Sequence, residues 1–164
     1  MTMSEEIIIP VVVAGIIERD HILLLKRNRN PFKGMWSLPG GKVAFDEFVT
    51  HAMEREVLEE TGLRVTYMEF LGIVSELLKE NREIRKGHLI SVFRVGVSQS
   101  ELRNSIEGDL RWFDSDELKE CKHQIIPTDF LITTKMLYPN KHGAYVCLVR
   151  KEGNVYTIEE FGEV

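Results

Sequence analysis

Three glutamates near the end of one amphipathic helix constrain this chain more than any other feature. In residues 41–63, GKVAFDEFVTHAMEREVLEETGL, a helix is expected to open at Asp46 or Glu47 and run to about Thr61. Gly62 stands where a left-handed residue ends a helix. Val49, Met53 and Val57 recur at i, i+4 and i+8 beside Ala52, which reads as a buried stripe. Glu56, Glu59 and Glu60 fall at i, i+3 and i+4, so their carboxylates share one patch. Like charges at that spacing destabilise a helix by roughly 0.2–0.5 kcal/mol per pair. Carboxylates at a helix C-terminus also oppose its dipole. Arg55, four residues before Glu59, relieves part of this. Taken alone, such a run reads as a solvated acidic face. A divalent cation changes that reading, because Mg2+ takes oxygen ligands and is commonly held by a few carboxylates and substrate phosphates.

The rest of the chain reads as mixed strands with two substantial helices. Residues 7–17 are β-branched and nearly continuous, a buried strand, and residues 22–26 return as a second one. Residues 36–38 form a short extended piece before Pro39-Gly40-Gly41. Residues 64–78 and 89–97 read as long strands around a charged hairpin loop at 79–87, and residues 109–113 as another short strand. Ser115 is expected to cap a helical turn over 115–119, and residues 128–137 a second helix after Pro127. Residues 144–150 and 155–159 alternate like a closing hairpin around Glu152-Gly153-Asn154. The class is α/β with a mixed sheet.

The 164 residues suit one domain, 1–164, with 142–164 as a C-terminal β-hairpin extension. A net charge of −5 argues against general nucleic-acid binding. The apolar runs are too short to span a bilayer, and the start MTMSEEIIIP is acidic where a signal peptide is basic. Cys121 and Cys147 make no metal-ligand pattern and read as free buried thiols, so a cytoplasmic protein is expected.

Residues 41–63 also resemble the Nudix box, the signature of the Nudix hydrolase family. That signature has a glycine at Gly41, a glutamate at Glu47, the pair Arg55-Glu56, an aliphatic at Val57, the pair Glu59-Glu60, then Gly62 and an aliphatic at Leu63. No position departs from it. The resemblance implies a Nudix-type α/β/α sandwich with a central mixed β-sheet. It implies metal-dependent hydrolysis of a phosphoanhydride in a nucleoside diphosphate derivative, with Mg2+ as cofactor and Mn2+ able to substitute. It casts Glu56, Glu59 and Glu60 as metal ligands, and Arg55 and Glu47 as an ion pair that orients them. It casts Gly40 and Gly41 as backbone that passes close to phosphate oxygens. The proton acceptor in the family is a box glutamate or a distant loop acid. Among Glu101, Glu107 and Asp109, Glu107 is the choice, beside Glu59 from the box.

Outside the box, Arg27 is the candidate substrate contact, and Lys26 lies beside it. Arg82, Arg85 and Lys86 read as a solvated loop, and the five histidines as structural or solvated. Trp36 reads as packing, and Thr128 and Asp129 as a helix start that in related enzymes can line the base pocket. Position 79 is lysine where ADP-ribose hydrolases often carry proline, the tyrosine of dinucleoside polyphosphate hydrolases is missing from the same neighbourhood, and the coenzyme A and NADH motifs are absent. This leaves a nucleoside triphosphate pyrophosphohydrolase of the MutT type by elimination. ADP-ribose or another sugar nucleotide is the alternative. A non-catalytic nucleotide-sensing module is disfavoured by the intact box. Isopentenyl diphosphate isomerase is disfavoured by the setting of the cysteines. The closing hairpin is expected to dock on the sheet or join a homodimer, because a lone hairpin is marginal in water.

Overall fold

The computed structural model describes residues 6–98, 101–104 and 107–164. The first five residues, part of the acidic start, lie outside them. The elements are β1 (Ile8–Glu18), β2 (His21–Arg27), β3 (Trp36–Ser37), β4 (Gly40–Lys42), α1 (Val49–Thr61), β5 (Val65–Glu80), β6 (Glu83–Val97), β7 (Gly108–Phe113), α2 (Ser115–Glu120), α3 (Pro127–Ile132), β8 (Gly143–Glu152) and β9 (Val155–Glu163). A π-helical turn, Thr133–Leu137, continues α3.

The sheet runs β3-β2-β1-β6-β5-β8-β9, with β4 also on β1 and β7 also on β2. β1 lies parallel to β6 and β5 parallel to β8, while β5–β6 and β8–β9 are antiparallel. The two faces carry separate cores. On one, Val12, Ala14 and Ile16 of β1 meet Ala52, Met53 and Val57 of α1. On the other, Val13, Val74 and Val92 meet Leu118, Ile132 and Met136 from α2 and the α3 segment. Strand alternation sends neighbouring residues of β1 into opposite layers. The result is a mixed, curled sheet between helices, an α/β fold. Among the described residues, no helix is long and apolar enough to cross a membrane.

Several local expectations need correction. The first helix starts at Val49, not at Asp46 or Glu47. The Glu47 N–H donates to the Ala44 carbonyl, and the Glu47 carboxylate accepts from the Ala44 N–H, so this stretch is a turn. Val49 is 41% exposed and drops out of the buried stripe, where Glu56 and Glu60 are instead buried. The expected loop at 79–87 is mostly strand. β5 and β6 pair up to Glu80↔Glu83, and the turn is only Asn81-Arg82, both at positive φ. Mirror-image two-residue turns of that kind match the twist of a hairpin. The cap of α2 is Asp114 rather than Ser115. Its carboxylate accepts from the Glu117 N–H while Glu117 accepts from the Asp114 N–H, a capping box. Cys121 is half-buried and only Cys147 fully buried, both as free thiols. Gly62 ends α1 at φ 75, as expected.

The closing hairpin docks within the chain. β8 pairs with β5 from Gly72↔Gly143 to Glu80↔Lys151. Two ion pairs, Lys151–Glu80 and Lys79–Glu159, tie it to the same strand.

Candidate active site

α1 brings its carboxylates against β4 because its apolar side packs on β1, which also pairs with β4. Burial then differs among the three glutamates. Glu60 is 2% exposed, Glu56 is 9% exposed, and the Glu59 side chain is largely exposed. A Cβ at Gly41 would lie 2.4 Å from Glu56 Oε1, so the absence of a side chain there makes room for that carboxylate. Gly40 donates its N–H to Glu60.

Arg55 organises this patch. Its Nε and Nη2 lie 2.8 and 3.0 Å from the two Glu47 oxygens. Its Nη1 donates to Glu56 Oε1 at 2.7 Å and to Glu59 Oε2 at 3.3 Å, and Nη2 also reaches the Lys42 carbonyl. Hydrogen bonds from Arg55 and from the Ala44 N–H hold the Glu47 carboxyl at about 2. Glu60 behaves in the opposite way. Burial, then the nearby charges of Glu56 and Glu107, push its carboxyl far above the usual carboxylate range. Glu60 Oε2 is buried and has no hydrogen-bond partner. A buried carboxyl in that state is held by protonation or by a cation. Glu56, Glu59 and Glu60 therefore suit a hard cation chemically. Among the described residues no three such groups stand pre-assembled round one point. Arg55 holds two of the three carboxylates instead.

A cavity of about 520 Å3 opens beside the patch. Gly40, Gly41, Glu56 and Glu107 line it together with Arg27 and Arg29. Arg29 pairs with Glu107 Oε1 at 2.5 Å, and Arg27 Nε donates to the Pro31 carbonyl at 2.7 Å. Of the three loop acids considered, only Glu107 lines this cavity. Glu101 lines a separate depression with Trp112, and Asp109 lies within β7. Of the hairpin cations, only Lys86 reaches the cavity, while Arg85 pairs with Glu83. Trp36 packs edge-on against Phe113 with centroids 5.0 Å apart, as packing rather than cavity wall.

The same cavity holds Glu76, which sequence reasoning missed, His88, which it read as structural or solvated, and Asp129, which it read as a helix start in a region able to line a base pocket. Glu76 and His88 face each other across β5 and β6, with His88 Nδ1 2.9 Å from Glu76 Oε1. Thr128 Oγ1 donates to the other Glu76 oxygen. Asp129 is 8% exposed, lines the cavity, and accepts from the Leu38 N–H at 2.8 Å. Burial raises its carboxyl to about 7, with the Glu76 charge adding to this and the Leu38 N–H and Arg27 opposing it. Its place opposite β3 follows from a parallel bridge, Trp36↔Ile125. Only the paired register of the strands could have flagged Glu76 and His88 in the sequence.

Carboxylates on one helix beside a cavity lined by arginines suit a phosphorylated ligand met through a divalent cation. Residues 9–131 match the sequence model of the NUDIX domain. An ADP-ribose pyrophosphatase of Methanocaldococcus jannaschii is 40% identical over 126 residues, 74% of this chain and 72% of that protein. A putative 8-oxo-dGTP diphosphatase 2 of Mycobacterium tuberculosis is 33% identical over 112 residues, 67% of this chain and 77% of that protein. The crystal structure of a MutT protein from Bacillus halodurans shares the fold with a TM-score of 0.78 at 24% identity, over 95% of this chain and 97% of that one. The chain belongs to the Nudix family and is a Nudix hydrolase. Enzymes of this family generally use divalent metal ions and act on small nucleotide substrates.

Proposed function

We propose that the protein hydrolyses a phosphoanhydride bond in a nucleoside diphosphate derivative with Mg2+, which Mn2+ can replace, and that ADP-ribose is its substrate. One observation carries the reaction class. A single cavity gathers a carboxylate cluster, two arginines and an apolar floor of Ile9, Val11 and Leu78. These match the phosphates and the planar base of such a substrate. Asp129, with a carboxyl near 7, can donate or accept a hydrogen bond to a base or ribose at neutral pH.

Glu56, Glu59 and Glu60 would hold the metal, with Arg55 giving up its Nη1 contacts and keeping Glu47. When bound, the metal neutralises phosphate charge and lowers the pKa of a coordinated water. Arg27 and Arg29 face the phosphates from the cavity wall. Glu107, with Glu59 as the alternative carboxylate, takes the proton from the attacking water. Gly40 and Gly41 leave backbone open to the substrate.

ADP-ribose is favoured by the 40% identity to the Methanocaldococcus jannaschii enzyme. That outweighs the lysine at position 79, from which a nucleoside triphosphate was expected. The triphosphate reading is kept as the second one, on the likeness to the Mycobacterium tuberculosis protein. A turnover screen decides between them, with ADP-ribose, 8-oxo-dGTP and ordinary nucleoside triphosphates, in Mg2+ and in EDTA. Faster turnover of a triphosphate than of ADP-ribose reverses the order. Full activity in excess EDTA, or no turnover of any nucleotide, ends the reading altogether. We also propose that the protein acts in the cytoplasm as a homodimer to which the closing hairpin contributes.

A further inference from the structure

The hairpin of β8 and β9 lies beyond residues 9–131, which match the family, yet it reaches the cavity. Val149 of β8 lines the cavity and pairs with Ile158 of β9. Tyr156, also on β9, packs its ring on Phe32 with centroids 4.2 Å apart and planes at 40°. Phe32 is itself a cavity residue, on the loop that follows Arg27 at the end of β2 and carries Arg29.

That loop is folded on a short base. Arg27 N–H donates to the Met35 carbonyl at 2.9 Å, and Gly34 N–H to the Arg27 carbonyl at 2.7 Å. At its tip Phe32 has φ 63, a left-handed conformation that a bulky residue adopts only where its surroundings hold it. The Met35 N–H bond to the Phe32 carbonyl, 3.0 Å, fixes the backbone. The Tyr156 ring meets the side chain. Tyr156 is in turn anchored, half-buried against the core and paired with Lys151, whose ammonium is bound to Glu80 of β5. The closing hairpin thus holds an aromatic ring at the wall of a cavity that Leu78 and Val149 also line. A phenyl ring with no polar atom, in a cavity also lined by apolar side chains, suits a flat aromatic group such as a nucleobase.

We propose that the C-terminal hairpin is a specificity element, in which Tyr156 is a positioning residue that holds Phe32 for stacking on the base of the substrate. This rests on the reading of the cavity as a nucleotide site. It separates two roles on the end of β2 and the loop that follows it. Arg27 and Arg29 meet phosphates, and Phe32 meets the base.

The test uses full-length protein carrying Phe32→Ala, Tyr156→Ala, Tyr156→Phe, Tyr156→Leu and the double Phe32→Ala/Tyr156→Ala. Three quantities are read: kinetics on the best nucleotide of the screen, competitive inhibition by inorganic pyrophosphate, and calorimetric binding of adenosine monophosphate. Phe32→Ala, Tyr156→Ala and Tyr156→Leu should each raise KM and the adenosine monophosphate Kd about tenfold, the scale of a lost aromatic contact. Their kcat and pyrophosphate inhibition should stay within about twofold, the pattern of lost uniform binding. Tyr156→Phe should behave as wild type. The double variant should be no worse than Phe32→Ala, because Tyr156 acts through Phe32. Wild-type KM in Tyr156→Leu overturns the proposal, as does a parallel loss of pyrophosphate inhibition or full additivity in the double variant. Unchanged adenosine monophosphate binding in both Phe32→Ala and Tyr156→Leu, in a protein that turns nucleotide over, also overturns the proposal and leaves the parent reading standing. A wild-type protein that neither turns over nor binds nucleotide sinks the parent reading and this one with it.

Discussion

Arg55 and Glu47, eight residues apart, meet through a two-pronged ion pair, with Nε–Oε1 at 2.8 Å and Nη2–Oε2 at 3.0 Å. The pair joins the turn before α1 to the helix. It leaves the remaining guanidinium nitrogen, Nη1, for Glu56 and Glu59. A lysine offers a point charge and cannot span these groups together. Arg55→Lys and Glu47→Gln should therefore each lower activity or metal affinity by roughly 10- to 100-fold, the usual effect of disturbing groups that orient metal ligands. Steady-state kinetics against a Mg2+ titration, with circular dichroism as fold control, measures this. Wild-type kinetics in Arg55→Lys would show that the fork is dispensable.

The two box glutamates at 59 and 60 differ in burial, so their variants should differ in kind. Glu59→Gln touches an exposed side chain and should keep wild-type stability. Glu60→Gln removes an ionisable group from a buried position where one oxygen, Oε2, has no hydrogen-bond partner, and should keep or raise the stability of the metal-free protein. Both should cut kcat by at least ~100-fold, the low end for loss of a catalytic group. Thermal melts in EDTA and kcat in saturating Mg2+ separate the two effects. Near-normal kcat in both variants would move the metal ligands elsewhere.

Asp129 gives the fold a pH signature. Its carboxyl is raised from an ordinary 3.8 to about 7 in the folded chain. Between those values the folded state keeps the proton and the unfolded state has lost it. Stability from this group is therefore full below about 4 and declines as pH rises towards 7, with a slope approaching about 1.4 kcal/mol per pH unit. Glu47, held at about 2, acts in a lower window and with the opposite sign, since its contribution is lost as pH falls towards 2. Asp129→Asn keeps an acceptor for the Leu38 N–H and removes the titration. Urea melts in EDTA from pH 4 to 7.5 should show a stability difference, wild type minus variant, that shrinks as pH rises. A pH-independent difference would mean that Asp129 is ionised throughout.

The sequence made the chemistry of α1 legible but not its surroundings. Gly41, Glu47, Arg55 and the three glutamates stand at a fixed spacing, and helical periodicity alone puts 56, 59 and 60 together. The start of the helix was illegible because Glu47 uses its side chain to close a turn with Ala44, which composition does not reveal. The strands around 79–87 were hidden by charge, since an exposed hairpin end alternates lysine, glutamate and arginine much as a loop does. Glu76, His88 and Asp129 come from elements far apart in sequence, and only the pairing of β5 with β6 and of residue 36 with 125 brings them to one cavity. Phe32 and Tyr156 are further apart still.

Arg27 lines the cavity, and its Nε also holds the Pro31 carbonyl in the loop that carries Phe32. A contact to substrate made equally in ground and transition states appears in KM rather than kcat. Arg27→Ala should raise KM about tenfold or more for the nucleotide, the scale of a lost hydrogen bond to a charged group. It should also weaken pyrophosphate inhibition, which the Tyr156 variants should leave alone. An unchanged KM and pyrophosphate constant would confine Arg27 to its loop bond.

The dimer proposal has a specific surface to answer to. On the face that α1 covers at Val12 and Ala14, the same strands run on past the helix. Pro10, Leu89, Ser75 and Val146 form one cross-strand row, and Ile8, Gly87, Leu77 and Leu148 the next. Ile8 is 67% exposed, Leu77 and Leu89 40%, and Val146 37%. Contiguous exposed apolar side chains on a sheet face mark interaction sites more often than isolated ones do. β8 supplies Val146 and Leu148, so the closing hairpin would contribute to the contact without being swapped or detached. Removing residues 142–164 would strip β8 from β5 and Val149 from the cavity, which confounds assembly with folding. The sharper test places charges on the face with Leu77→Glu and Val146→Glu together. Light scattering at high micromolar concentration should then change from a dimer mass to a monomer mass, with the thermal melt as fold control. A monomeric wild type removes the dimer. A dimer that survives both charges has its interface elsewhere, with the outer edge of β9 the next surface to disrupt.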